Sequence, residues 1–178
     1  IDKASDAGAD FIKFQTYIVN NIVRENTPKT NYQTLNTEAN EDQYSMLKKL
    51  QLNKSDHFNL IQYSKKKKIK FLSSAFDIES LKFLNQLKLN TFKIPSGEIT
   101  NIPYLEQVGR FNKETILSTG MSNMIEVETA LKVLISSGLK KSKITILQCN
   151  TDYPSPIEDS NINVISEFKK RFKVKVGY

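Results

Sequence analysis

The sequence predicts an α/β fold that forms part of a (β/α)8 TIM barrel, with about six of the eight units present, corresponding to strands two to seven. Apolar runs of strand length recur along the chain, and segments with a helical period separate them. Polar residues gather where the predicted strands end. Strands that alternate with helices favour a parallel sheet, and a barrel carries its chemistry on the loops that follow its strands.

Each predicted element rests on its own pattern of apolar residues. Strands are predicted at 11–16, 69–74, 91–95, 115–118, 144–149 and 173–177. Helices are predicted at 55–66, 79–87, 103–111, 123–137 and 161–172, with one more near 42–50 inside a polar excursion. The first of these helices has a serine at its start and apolar residues on one side, and the fourth ends before Gly138, as helices often do.

A doubly wound sheet is the competing architecture, and it should carry a glycine-rich turn after its first strand. Neither GxGxxG nor GxxxxGK[ST] occurs in the sequence. The strand ends instead carry polar side chains, which is typical of a barrel. These residues are Gln15, Ser73, Ser74, Ser96, Glu98, Ser118, Thr119, Asn150 and Thr151.

The composition excludes several classes of protein. Of the 178 residues, 39% are hydrophobic and 25% are charged, which is ordinary for a globular domain and not for a disordered tail. No stretch approaches the roughly 18 apolar residues of a membrane span, so no membrane partner is expected. A single cysteine excludes an internal disulfide framework, and together with a single histidine it leaves no metal-ligand cluster.

A complete barrel needs roughly 250 residues. We therefore interpret residues 1–178 as one partial catalytic domain, whose remaining strands are expected outside this sequence. Repeats, low-complexity tracts and linkers that would divide the chain into two domains are not visible in the sequence.

Two lysines lie inside apolar predicted strands, Lys13 in FIKFQ and Lys93 in TFKIP. Lysine is almost never fully buried unless it is paired. In a strand, Lys13 and Gln15 point to one side and the apolar neighbours to the other. Two ammonium groups at one barrel mouth predict an anionic ligand. Pairing of each lysine with a buried carboxylate, or extension of its head to the rim, is the alternative.

The segment from Lys93 to Glu98 adds a hydroxyl and a carboxylate to the second lysine. Pro95 ends the strand and Gly97 permits a tight turn, so Ser96 and Glu98 are presented beside Lys93. This set could bind an anion and handle a proton. Ordinary turn chemistry is the alternative reading of the same residues.

Other conspicuous features of the sequence say less about function. The net charge of +7 favours an anionic partner, but a nucleic-acid surface would interleave basic and aromatic residues on one face. The basic run at 65–68 is interpreted as the solvated end of a helix, and His57 as a non-catalytic residue in the first turn of a surface helix. Tyr153 differs from the other aromatic residues, because two prolines hold it in a loop directly after a strand.

Six segments in order resemble the sialic acid synthase family, which includes the N-acetylneuraminate, N,N'-diacetyllegionaminate and pseudaminate synthases. The combination of KIPSGE, LSTGM and CNTxYPxP is the most specific part of the resemblance, and the C-N-T-x-Y-P form favours the neuraminate or legionaminate synthases. The segments are GADFIKFQTY (8–17), FLSSAFDIESLKFL (71–84), FKIPSGEITNIPYLE (92–106), ILSTGMSNMIEVETAL (116–131), LQCNTDYPSPIEDSNIN (147–163) and VGY (176–178).

The resemblance implies a cytoplasmic enzyme with a TIM barrel followed by a small antifreeze-like domain. Such an enzyme condenses phosphoenolpyruvate with an N-acetylated hexosamine, releases phosphate and forms a nonulosonic acid. It uses a divalent metal, Mn²⁺ or Mg²⁺, and is a homodimer when full length. The family's metal-ligand histidines have no counterpart in this chain, so no residue here is assigned to the metal. The fragment alone is expected to be inactive.

The family's substrate residues carry over by motif. Those implied to bind phosphoenolpyruvate are Lys13, Ser74, Lys93, Ser96, Ser118 and Thr151. Those implied to face the sugar are Gln15, Glu98 and Tyr153, with Glu98 the catalytic residue in or near proton transfer.

Three other functions remain open at this stage. The chain could belong to another phosphoenolpyruvate-condensing barrel, such as a deoxy-sugar-phosphate synthase. It could be a non-catalytic remnant that keeps only an anion site. A nucleic-acid module is the third alternative and has only the net charge in its favour.

Overall fold

Parallel strands alternate with helices throughout the structure, a computed structural model that describes residues 1–30, 33–34, 37 and 40–178. The described chain divides into two compact units. We call Ile1–Ser80 the N-terminal unit and Leu81–Tyr178 the C-terminal unit. Within the described residues no helix is long and apolar enough to cross a bilayer.

The N-terminal unit contains two parallel strands that pair in register. Lys13 lies opposite Leu72, and Gln15 lies opposite Ser74. Its elements are α1 (Asp2–Asp6), β1 (Phe11–Thr16), α2 (Val19–Ile22), α3 (Gln43–Leu50), α4 (Lys54–Lys66) and β2 (Lys70–Ala75). The next helix, α5 (Ile78–Gln86), contains the boundary between the units.

The C-terminal unit contains four parallel strands that pair in chain order. Its strands are β3 (Thr91–Ile94), β4 (Glu114–Ser118), β5 (Ile144–Leu147) and β6 (Lys175–Gly177). Its helices are α6 (Ile102–Phe111), α7 (Met124–Ser136) and α8 (Val164–Phe172), with short 3-10 turns at Ser96–Glu98, Lys141–Lys143 and Ile157–Asp159.

Burial alternates along the strands of the C-terminal unit, because successive side chains point to opposite faces. One face is closed by buried side chains, while the residues between them are mostly half-buried, with Glu114 exposed and Ser118 buried. Among the fully buried residues are Phe92, Ile94, Leu117, Ile144 and Ile146 from the strands and Leu105, Val108 and Leu134 from the helices. The core of this unit therefore lies on one face of its sheet, and the opposite face is available for polar groups.

An ion pair also connects two helices of the C-terminal unit. Glu128 of α7 contacts Arg171 of α8 at 2.9 Å and Lys132 of its own helix at 2.8 Å. These two cations lower the pKa of the half-buried Glu128 carboxyl to about 2, with Lys132 the larger cause.

The predicted alternation of strands and helices is confirmed, and the bounds of β1 agree residue for residue with the prediction. Several predicted elements are too long, and the strand predicted at 144–149 ends at Leu147. β6 begins at Lys175, not 173, because Lys173 adopts a left-handed conformation (φ 52°) that ends α8. The helix predicted from 161 begins at Val164, because Asn161 also has positive φ (45°).

His57 is fully buried, so the prediction that it lies on a surface helix face is wrong for this residue. Its Nδ1–H donates to the Asn53 carbonyl at 2.7 Å, because a carbonyl can only accept. With the proton on Nδ1, Nε2 accepts from the Thr16 hydroxyl at 2.8 Å, and Thr16 accepts in turn from Ser73 at 2.7 Å. This chain of hydrogen bonds connects α4 to the packed face of β1 and β2.

Replacing His57 by leucine is expected to lower the free energy of unfolding of the complete protein by about 1–3 kcal/mol, because the buried Thr16 hydroxyl loses its acceptor. Urea denaturation measures the change. Phe58→Leu on the same helix is the matched control, because Phe58 is 55% exposed and its loss should change the free energy by about 0.5 kcal/mol or less. Equal effects of the two substitutions would show that the His57 network adds nothing.

Candidate functional site

The N-terminal unit places three of the predicted residues on one face of its strand pair. Lys13, Gln15 and Ser74 share this face, because residues paired in parallel strands point the same way and the side-chain period is two. The opposite face carries Thr16 and Ser73, which are bonded to each other. The predicted separation of Lys13 and Gln15 from their apolar neighbours is therefore confirmed.

Lys13 and Gln15 are exposed, whereas Ser74 is buried. Desolvation by the surrounding protein lowers the pKa of the Lys13 ammonium group. The strand end therefore presents a cation, an amide and a hydroxyl on one side, and these groups can all donate hydrogen bonds to an anion.

In the C-terminal unit, Lys93 and Ser118 are in direct contact. Nζ of Lys93 donates to Ser118 Oγ at 2.5 Å and to the carbonyl of Ile94 at 3.1 Å. Ser118 lies 3.2 Å from Cys149 Sγ, and the Cys149 thiol donates to the carbonyl of Leu147 at 3.6 Å. Because the thiol proton is directed to Leu147, the Ser118 hydroxyl donates to the sulfur and accepts from Lys93. Three adjacent strand ends thus hold the ammonium group at one place.

The turn after β3 holds Ser96 and Glu98. It is closed by the Glu98 amide, which donates to the Pro95 carbonyl at 3.0 Å, and by the Ile99 amide, which donates to the Ser96 carbonyl at 3.3 Å. The Glu98 carboxylate accepts from the Asn101 side chain at 2.7 Å. The predicted presentation of Ser96 and Glu98 by a tight turn is confirmed as local geometry.

Ser96 and Thr151 line the same cavity, of about 320 Å³. Its other lining residues come from the loops after β3 and β4 and the start of α7, and they are Gly97, Ile99, Thr100, Met121, Ser122 and Glu126. Tyr153 is 69% exposed in the loop after β5 and does not line this cavity. In the C-terminal unit, therefore, Lys93 contacts Ser118, and Ser96 and Thr151 line one cavity. Tyr153 lies at the surface.

Gly120 lies between Ser96 and Thr151. A Cβ atom at this position would lie 2.5 Å from Ser96 Cβ, 2.6 Å from Ser96 Oγ and 3.1 Å from a methyl group of Thr151. The backbone of Gly120 also has a φ of +52°, which L side chains rarely adopt. The absence of a side chain is thus what allows three strand-end loops to meet.

Sequence reasoning gave no role in this site to Gly120, Asn101 or Cys149. The pattern S-T-G after β4 was visible, but a glycine at a loop is usually read as a turn residue. Asn101 stands at the start of a predicted helix, where asparagine is a common cap. Cys149 ends a predicted apolar strand and was interpreted as a small packed side chain.

The resemblance implies a divalent metal, and the residues of this chain do not fit one. In the part of the chain that the structure describes, no three His, Cys, Asp or Glu side chains form a group that could hold a metal ion. His57 is bonded to a carbonyl and a hydroxyl inside the core. No chemical step is therefore derived through a metal.

The chain belongs to the NeuB family, whose model matches residues 1–178. Among curated proteins it is 47% identical over 178 residues to the N,N'-diacetyllegionaminic acid synthase of Campylobacter jejuni and covers 53% of that protein. It is 36% identical to the N,N'-diacetyllegionaminic acid synthase of Legionella pneumophila and covers 50% of it. The chain thus spans about half the length of the curated relatives it matches. The predicted resemblance is confirmed.

Solved structures agree with this family. An N-acetylneuraminic acid synthetase from Leptospira borgpetersenii, in complex with citrate, matches with a TM-score of 0.82 and 29% identity over 99% of this chain and 56% of that one. A DAHP synthase from Thermotoga maritima matches with a TM-score of 0.68 at 15% identity, covering 97% of this chain and 44% of that one, which is a likeness of fold alone. The predicted fold class, α/β as part of a TIM barrel, is confirmed.

If the complete protein uses phosphoenolpyruvate, as the resemblance implies, Gly120→Ala is expected to raise the KM for it about tenfold or more, equivalent to about 1.4 kcal/mol. The added methyl group would displace Ser96 and Thr151, the two residues that the resemblance assigns to this substrate. Steady-state kinetics and the unfolding temperature are measured together.

Another glycine of the same chain separates backbone strain from displacement of the loops. Gly8→Ala carries similar strain, at φ +74°, but its Cβ meets nothing within 4 Å. Gly8→Ala should lower the unfolding temperature without changing KM. A KM that rises equally in Gly8→Ala and Gly120→Ala would contradict the role of close approach.

Proposed function

We propose that the complete protein is a nonulosonic acid synthase that condenses phosphoenolpyruvate with an N-acetylated hexosamine and releases phosphate. The observation that carries the proposal is the contact between Lys93 and Ser118 on the open face of the C-terminal sheet. An ammonium group held at the strand ends beside a hydroxyl suits a compact, highly charged anion. The names of the curated relatives support the same class of reaction.

Phosphoenolpyruvate would be bound by donors from several strand ends. In the C-terminal unit, Lys93 would neutralise its negative charge, and the hydroxyl groups of Ser96, Ser118 and Thr151 would fix its orientation. The family resemblance assigns Lys13 and Ser74 of the N-terminal unit to the same substrate. Preorganised donors of this kind stabilise charge without reorganising during the reaction. Partial desolvation lowers the pKa of the Lys13 ammonium group, and an anion bound beside it would raise that pKa again.

In the proposed reaction, C3 of phosphoenolpyruvate forms a bond with the carbonyl carbon of the open-chain sugar. Water adds to C2, and the bond between C2 and the bridging oxygen breaks, so that inorganic phosphate leaves with that oxygen. Glu98 would transfer the proton released by the adding water to the former sugar carbonyl oxygen, which becomes a hydroxyl group. The family resemblance assigns Gln15 and Tyr153 to contacts with the sugar. Proton transfer by a positioned carboxyl typically contributes about 10²–10⁴-fold to the rate.

The sugar is proposed to be a diacetamido hexose, because two of the similar curated proteins are N,N'-diacetyllegionaminic acid synthases. A divalent metal, Mn²⁺ or Mg²⁺, remains a prediction from the family resemblance, and no residue of this chain is assigned to it. A cytoplasmic location and a homodimeric state remain predictions from the family resemblance.

The complete protein should release phosphate from phosphoenolpyruvate when a diacetamido hexose or N-acetylmannosamine is added with Mn²⁺, and not when a phosphorylated aldose is added. Phosphate release is measured by a coupled colorimetric assay, with each sugar omitted in turn as the control. The reverse preference would assign the protein to the deoxy-sugar-phosphate synthases. Binding of phosphoenolpyruvate without turnover on any of these sugars would favour a non-catalytic anion-binding protein.

A further inference from the structure

Asn101 connects the candidate catalytic carboxylate to the first turn of α6. Its Nδ2 donates to Oε2 of Glu98 at 2.7 Å, and its Oδ1 accepts from the backbone N–H of Tyr104 at 3.3 Å. Asn101 is the N-cap residue of this helix. A single side chain therefore caps the helix and holds the carboxylate.

The two partners leave the Asn101 amide only one orientation. If its oxygen and nitrogen were exchanged, the oxygen would face the Glu98 carboxylate and the NH₂ group would face the N–H of Tyr104. Both contacts would then be repulsive, because they would pair two acceptors or two donors. The direction of the hydrogen bond to Glu98 is thus set by the helix, and the bond restrains rotation of the carboxylate.

The frame behind this contact is rigid. Tyr104 and Leu105 are completely buried and anchor the first turn of α6 in the core. The backbone N–H of Asn101 donates to the Glu98 carbonyl at 3.0 Å, and the Leu105 N–H donates to the Asn101 carbonyl at 3.0 Å. Asn101 therefore fixes the position of the Glu98 carboxylate relative to the buried first turn of α6.

We propose that Asn101 is a positioning residue, which orients the Glu98 carboxylate for proton exchange with the sugar substrate. The proposal rests on the proposed function, because it presumes that Glu98 is catalytic. Asn101 contacts Glu98 and the helix, and its effect on the reaction passes through Glu98. A cap that served only the helix would need the oxygen of Asn101 and not its NH₂ group.

Asn101→Asp separates these two roles, because it keeps a capping oxygen and replaces the donating amide by a second carboxylate oxygen. Two adjacent carboxylates resist joint ionisation. At pH 8 the unfolding temperature of the complete protein should fall by about 2–4 °C. The limb of the kcat/KM profile that reports Glu98 should move to higher pH by about one unit, and kcat at pH 7 should fall at least about tenfold.

Combining Glu98→Gln with Asn101→Asp should restore the hydrogen bond with its polarity reversed, because the introduced glutamine amide can donate to the introduced aspartate. The unfolding temperature should return to that of the wild type, while turnover with phosphoenolpyruvate and the diacetamido hexose stays lost. This cycle of four proteins measures the coupling between the two positions by thermal unfolding, with no substrate present.

Asn53→Asp is the matched control, because Asn53 caps α4 through the N–H of Asp56 and its side chain otherwise bonds Ser55. It should leave the pH profile unchanged. If Glu98→Gln keeps the wild-type rate, the proton-transfer role of Glu98 fails, and the proposal for Asn101 fails with it. If Glu98→Gln abolishes turnover but Asn101→Asp leaves the pH profile unchanged and the stability effects are additive, only the role of Asn101 is overturned.

Discussion

The two-residue period of the strands is the constraint on which the candidate site depends. Apolar side chains such as Phe92, Ile94 and Leu117 close one face of the C-terminal sheet, and an ammonium group on that face would have to give up its charge. Lys93 lies on the other face, where Ser118 ends the next strand and Cys149 lies just beyond the end of the strand after it. The same alternation in the N-terminal unit separates Lys13 and Gln15 from the packed face that holds Thr16 and Ser73. The alternation that forms the core thus also places the donor groups on the opposite face.

Much of this arrangement could be predicted from the sequence, because the two-residue period of the strands is visible in the order of their side chains. Lys13 and Lys93 were conspicuous as charges inside apolar runs, and β1 was predicted with its observed bounds. The first residues of β6 and α8 were not predicted correctly, because they depend on single residues that adopt positive φ. The chemical role of each strand-end residue came from the family resemblance, since a serine after a strand has no pattern that distinguishes a ligand contact from a turn.

The residues that sequence reasoning missed are those whose role depends on the distance between loops. Gly120 matters because Ser96 and Thr151 approach it from positions 24 and 31 residues away along the chain (120 − 96 and 151 − 120). Asn101 reads as an ordinary helix cap until its second hydrogen bond, to Glu98, is seen. Neither residue carries charge. The charged groups attract an anion. These uncharged neighbours hold the surrounding groups in positions from which a proton could be transferred.

The proposed function requires the complete protein to break the C–O bond of phosphoenolpyruvate as it joins that molecule to a sugar. Phosphoenolpyruvate labelled with oxygen-18 at the bridging position, incubated with the protein, Mn²⁺ and a diacetamido hexose, tests this claim most directly. Mass spectrometry of the products should find the label in inorganic phosphate and none of it in the sugar acid. Label retained in the organic product would show cleavage at phosphorus, which is phosphoryl transfer, and would contradict the synthase assignment.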